Sequence, residues 1–189
     1  MGLTPLAVSV LSLLSQRPMH PYEMYSVMLE RHEDELVKVR PGSLYHTVER
    51  LQRDGLVKSL GTDRPTGRPE RTVYEITPEG SDAMLEWVRV ALAEWQLEYP
   101  RFALALGRAN TLPADIVVDL LGKYLECLDR EVLRTKESEV ELRRRQLSEE
   151  YWIEVDYLLA IRTAERDWIA ATMERIKTGD LRWHKKPQP

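Results

Sequence analysis

The apolar positions fall into helical spacing three times, then alternate, then return to helical spacing to the end of the chain. Leu6, Ala7, Val10, Leu11, Leu13 and Leu14 cover much of a first helix, opened by Thr4 as N-cap with Pro5 at the first helical position and closed by Arg17-Pro18. A second helix is expected from about residue 21 to 31, with Met24, Val27 and Met28 on one stripe, and the acidic run Glu33-Asp34-Glu35 then reads as a loop. The third helix opens at Pro41-Gly42-Ser43 and turns Leu44, Val48 and Leu51 inward. It closes at Asp54-Gly55, where glycine suits the position just past the last turn. A short strand over 56–60, a turn-rich stretch and an alternating strand over 71–76 make a hairpin with a long tip. Thr77-Pro78-Glu79-Gly80 starts a fourth helix, expected to carry Met84, Leu85, Trp87, Val88, Leu92 and Trp95 and to end before Pro100.

Three helices, two strands and a helix over about 95 residues is the order of a winged helix-turn-helix with a two-stranded wing. Everything after Pro100 is helical in pattern: a short helix near 102–109, a long one from Leu112-Pro113-Ala114-Asp115, and a last one near 151–177. The long helix repeats Ile116, Leu120, Tyr124, Leu128 and Val132; the last carries Trp152, Val155, Leu158, Leu159, Trp168 and Ile169. The expected architecture is mainly α: a DNA-binding domain with its linking helix over 1–97, a helical dimerisation domain over 98–180, and a flexible tail over 181–189. The C-terminal helices each offer an apolar stripe with few partners in their own chain. Leu120, Tyr124, Leu128, Leu158 and Trp168 are therefore the expected dimer contacts.

Charge changes the picture once it is located. The chain carries a formal net charge of −4, which on its own argues against a nucleic-acid partner. Residues 37–74, however, hold eight cations against four anions, a net +4, leaving −8 for the remainder. That window is the third helix plus the hairpin, the parts of a winged helix that face DNA; solvated surface charge is the plainer alternative. On the third helix Ser43, His46, Thr47 and Arg50 are expected outward, with Tyr45 and Arg53 on the flanks. Short polar groups at a helix N-terminus approach phosphates or base edges closely, and Arg50 would reach one turn further. His46 is as well explained as a surface histidine without a role. At the hairpin tip, Pro and Gly project Arg64 and Arg68 from a stiff turn, an arm suited to the minor groove, unless the loop touches only phosphates. Gly67-Arg68-Pro69 is similar to the core of an AT-hook, except that Thr66 stands where an arginine is expected.

Other chemistry finds little support. The sequence has no G-x-S-x-G, phosphate loop or H-E-x-x-H, and its four histidines are scattered, so no enzyme activity, cofactor or metal is expected. The lone Cys127, on the apolar stripe beside Tyr124 and Leu128, is expected to be a buried structural thiol in a reducing cytoplasm. No cationic leader precedes the apolar start and no stretch is long enough to span a membrane, so neither secretion nor a membrane partner is expected. Trp87 and Trp95, eight residues apart, with Trp152 and Trp168, are read first as core or dimer packing, and otherwise as the lining of a cavity for a flat aromatic effector.

Five segments, in order, carry a family resemblance: His20-Pro21-Tyr22-Glu23-Met24; Pro41-Gly42-Ser43-Leu44-Tyr45; Leu51-Gln52-Arg53-Asp54-Gly55-Leu56-Val57; Gly67-Arg68-Pro69-Glu70-Arg71; and Tyr74-Glu75-Ile76-Thr77-Pro78-Glu79-Gly80. The chain resembles the PadR family of bacterial transcriptional regulators. Its downstream half resembles the long, virulence-activator-like form, on length and helical pattern. The departure is Pro21, where the family commonly has glycine. The resemblance implies a homodimer on a pseudo-palindromic double-stranded operator, usually a repressor relieved by a ligand or signal. It also assigns DNA contact to Tyr22, Ser43, Tyr45, Arg68 and Arg71. With Lys38, Arg40, His46, Thr47, Arg50 and Arg64 from the charge window, these are the candidate DNA-binding residues. An activator without an effector, or a winged helix used for protein contacts, remains the alternative.

Overall fold

The computed structural model describes residues 2–63 and 71–183. The chain forms two compact units, residues 1–97 and 98–189.

The first unit is built on α1 (Pro5–Gln16), α2 (Pro21–Glu30), α3 (Pro41–Arg53), a hairpin of β1 (Val57–Asp63) and β2 (Arg71–Ile76), and α4 (Pro78–Ala93). All six apolar positions read from α1 are buried. Around Leu11 and Leu13 pack Met24 and Met28 of α2 and Leu44, Val48 and Leu51 of α3, each at most 2% exposed. Each such side chain contributes about 1.5–3 kcal/mol, against about 0–1 for a surface ion pair, so this cluster and not the charges holds the unit together. Side chains cap three of the helices. Thr4 accepts from the Ala7 amide, His20 Nδ1 from Glu23, and Thr77 from Gly80. Proline follows each cap at the first helical position, and Pro21 thus begins α2 without disturbing it.

The hairpin is antiparallel, pairing Val57 with Ile76, Lys58 with Glu75 and Ser59 with Tyr74; a bulge at Leu60 then shifts Gly61 onto Val73. Gly61, at φ 113°, adopts the backbone that this bulge needs. β1 thus extends three residues past its expected end. Met19 adds a third partner: its N–H donates to the Tyr74 carbonyl (3.1 Å) and its carbonyl accepts from Tyr74 (2.9 Å), tying the α1–α2 connection to the wing. The acidic run 33–35 is a 3₁₀ turn rather than an irregular loop, entered through His32 in the left-handed region. α4 ends at Ala93, earlier than the sequence pattern implied. From Glu94 the backbone is extended, and Trp95 stands 83% exposed.

In the second unit α5 (Arg101–Leu106) leads into α6 (Ala114–Arg144), and α7 (Ile153–Thr178) runs back along α6. Val117, Leu121 and Leu128 of α6 meet Ile169 and Ile176 of α7, and Val132 is buried further along α6. Polar contacts set the register: Tyr124 Oη donates to Glu165 (3.1 Å), Arg166 to Asp129 (2.6 Å) and Arg162 to Thr135 (2.5 Å). Phe102 stacks on Tyr124 at 4.1 Å, fixing α5 against the pair. Between α6 and α7, Gln146 turns the chain at φ 54°. Trp152 is buried there, its indole N–H on the Leu147 carbonyl and the Arg143 guanidinium 4.9 Å above its ring.

Three expectations need correction in this unit. The side of α6 packed on α7 is Val117, Leu121, Leu128 and Val132, so Leu128 belongs to the unit's own core, whereas Ile116 and Leu120 are exposed by 44% and 48%. Cys127, one residue from that line, is turned about 100° away and is exposed, with Arg130 donating to its Sγ at 3.1 Å. The tail is not free at its start: Leu181 and Trp183 pack on the α6–α7 cluster, and the Trp183 indole donates to the Leu112 carbonyl at 2.9 Å.

Candidate nucleic-acid interface

α3 is strongly two-sided. Leu44, Thr47, Val48 and Leu51 are buried, and Ser43, Tyr45, His46 and Arg53 lie outward. Thr47 is the correction. At i+3 from Leu44 it shares the inner face, 8% exposed, and its hydroxyl is spent on the Ser43 carbonyl at 2.8 Å. It has neither the exposure nor the free donor that a nucleic-acid contact requires. At the start of α3, Arg40 supplies no side-chain cap and Pro41 has no N–H, so the first amides lie beside exposed Ser43 with only the backbone to order them.

Arg50, half-buried, donates to the Thr4 hydroxyl at 3.1 Å, which ties the third turn of α3 to the start of α1. A role at phosphate or base would require it to leave that acceptor. His46 stands exposed with Nδ1 3.6 Å from Glu49. Lys38 and Arg40 are exposed in the segment leading into α3. Lys58, on the wing, is engaged with Glu75 across the hairpin at 2.6 Å. Arg64 and Arg68 lie outside the described residues; Arg71 begins β2, paired through its backbone with Asp63.

Tyr22 opens α2 at 59% exposure, its ring stacked near His20 with centroids 6.4 Å apart, and Tyr45 is 45% exposed on α3. Between them and the wing lies an open hollow of about 230 Å³, reached also by His20, Glu49, Thr72 and Tyr74. Burial, and then the charge of Glu49, push the Tyr74 phenol above its ordinary pKa. The sequence reading missed Glu49 and Tyr74 here. Glu49 was legible as the residue four after Tyr45; the position of Tyr74 depends on the single Met19 bridge, which leaves no periodic signal.

Residues 10–86 match the model of the transcriptional regulator PadR-like family. They form a PadR-like domain. The match contains α2, α3 and both strands of the wing, so Tyr22, Ser43, Tyr45 and the hollow all lie within the PadR-like domain. No curated protein matches the chain in sequence. Among solved structures, Bacillus subtilis PadR in complex with operator DNA is similar at TM-score 0.77 and 16% identity, over 92% of this chain and 99% of that one. The same Bacillus subtilis protein in complex with p-coumaric acid gives 0.73 and 16%, over 91% and 98%. A PadR-like transcriptional regulator from Bacillus cereus gives 0.67 and 18%, over 90% and 94%. At such identities the likeness is one of fold, and it extends beyond the PadR-like domain into the helical half. Among the described residues no helix is long and apolar enough to cross a membrane, and no group of three or more His, Cys, Asp or Glu is placed to hold a metal.

Trp87 and Trp95 differ in exposure. Trp87 is half-buried on α4, while Trp95 lies past the helix end and is largely in solvent.

Proposed function

We propose that the chain is a homodimeric, sequence-specific DNA-binding transcriptional regulator, acting as a repressor that a small-molecule or cellular signal relieves. The observation that carries this reading is a coincidence: the +4 window of an otherwise acidic chain is the third helix and wing of the PadR-like domain. Ser43, Tyr45 and His46 are exposed together on α3, which is the element that would enter the major groove. Tyr22, Lys38 and Arg40 flank it and would hold phosphates; Arg64, Arg68 and Arg71 would extend the contact through the wing. The rest of the chain, at −8, would disfavour indiscriminate contact with phosphate.

The dimer is favoured by apolar side chains left in solvent on the helical unit. Ile116 and Leu120 are exposed four residues apart on α6, and Ile161 and Trp168 are about half exposed on α7. A second copy would cover such stripes. A non-enzymatic cytoplasmic regulator fits the lone exposed thiol and the domain's family. An aromatic acid as effector is favoured by the p-coumaric acid complex of Bacillus subtilis PadR. Selection of bound fragments from the host genome tests the whole reading. It is expected to return inverted half-sites about one helical turn, 34–36 Å, apart. Recovery of fragments without a shared motif would contradict it.

A further inference from the structure

Arg50 differs from the exposed residues of α3 in having its guanidinium committed inside the chain. Half-buried in the third turn, it donates from Nη2 to the Thr4 hydroxyl at 3.1 Å, across 46 residues of sequence. The oxygen that accepts it is the N-cap of α1 and accepts the Ala7 amide as well, at 3.3 Å. Both acceptor positions of that hydroxyl are thereby occupied, and Arg50 is joined to a group that α1 itself holds in place. Elsewhere the two helices meet through the apolar cluster of Leu11, Leu13, Leu44, Val48 and Leu51. We propose that Arg50 is a positioning residue: through Thr4 it sets the rotation of α3 on α1, and with it the direction in which Ser43, Tyr45 and His46 face, without touching DNA itself.

A buried apolar stripe turns one side of a helix to the core only to within the width of the stripe, because the hydrophobic effect is non-directional. A planar guanidinium on a fixed oxygen is directional and narrows that freedom. Ser43, Thr47 and Arg50 follow at i, i+4 and i+7 on one side of α3, so the anchor and the exposed serine turn together. The N-terminal end of the helix has no comparable device, since Arg40 makes no side-chain cap there. Charge for phosphates has other sources: Lys38, Arg40 and Arg53 stand exposed before and along α3. Arg50 therefore serves the interface better on Thr4 than off it.

This inference rests on the DNA-binding reading. A wild-type chain that binds no operator contradicts that reading and this inference with it; the outcomes that overturn this inference alone lie in the variants. The test is the affinity of the full chain for a selected operator fragment at several salt concentrations, at 25 °C, with a circular dichroism melt of each variant to establish that it is folded. Thr4→Gly deletes the acceptor at little cost to the cap, Thr4→Ser keeps it, and Arg50→Met removes the guanidinium while keeping an apolar stem. Thr4→Gly and Arg50→Met are each expected to weaken binding about tenfold, the double variant no further than either, and Thr4→Ser to stay within about twofold of wild type. The slope of log affinity against log salt is expected to be the same in all. An Arg50 that reached a phosphate would behave otherwise: Arg50→Met would make the slope shallower by about one, and Thr4→Gly, which frees the guanidinium, would not weaken binding. Either of those results overturns the proposal, as do additive losses in the double variant or a Thr4→Ser chain as weak as Thr4→Gly. A lowered melting temperature with unchanged operator affinity in both single variants overturns it too, because the contact would then only stabilise the fold.

Discussion

Gly80 shows how a single atom sets the joint between wing and helix. The Leu56 carbonyl accepts the Thr77 amide at 3.1 Å, the Thr77 hydroxyl donates to the Gly55 carbonyl at 2.8 Å, and Gly80 lies directly against the same Leu56 oxygen. A β-carbon on Gly80 would fall 2.0 Å from that oxygen, a distance that only backbone displacement relieves. Gly80→Ala is therefore expected to cost about 3 kcal/mol, and to lower the melting temperature by ~10 °C or more in a circular dichroism scan. Gly42→Ala on α3, with nothing within 4 Å of the added carbon, is expected to be neutral or slightly stabilising in the same scan. The interface has a similar pair of contrasting residues. Tyr45→Ala removes an exposed ring and is expected to weaken operator binding about tenfold, a loss of about 1–2 kcal/mol. Thr47→Val, at a buried position, is expected to stay within about twofold; a matching tenfold loss would return Thr47 to the contact surface.

At the scale of elements, most of the fold was legible in the residues. α1 and α4 announce themselves through a threonine cap and a proline, α2 through Pro21, and β2 through alternation, and their starts coincide with the observed ones. What was not legible came from contacts between elements. The stripe read on α6 recurs every four residues and so drifts round a helix of 3.6 residues per turn: Leu128 and Val132 lie on the side packed on α7, while Ile116 and Leu120 lie off it. Thr47 was misplaced because a hydroxyl can satisfy itself on its own helix and so join an apolar face. The end of α6 supplies an electrostatic test. Hydrogen bonds from Arg144 and then Arg145 hold the Glu141 carboxyl down to about 2. A depressed carboxylate stabilises the fold above its ordinary range, and the contribution disappears as the pH falls through about 2. Carboxyl-resolved NMR titration is expected to place Glu141 well below its neighbours, and Arg144→Ala with Arg145→Ala to return it to the ordinary range. No change in the double variant would refute this pairing.

The whole molecule combines a basic face on the PadR-like domain, +4 over residues 37–74, with −8 over the rest of the chain, and the functional account depends on both. If Leu120 and Trp168 meet a second copy, Leu120→Glu with Trp168→Glu is expected to give folded monomers in sedimentation. Leu128→Glu should instead destabilise the chain, because Leu128 is packed within its own unit. Dimers that persist in the double variant would move the interface elsewhere. The central claim is that the +4 surface binds operator DNA, and the most direct test is the affinity of the intact chain for a selected operator fragment, measured as salt is raised from about 50 to 200 mM. Neutralised phosphates release counterions, so the account predicts nanomolar binding at low salt that falls by about 10³-fold or more across that range. Binding that is absent, or that does not change with salt, would contradict it.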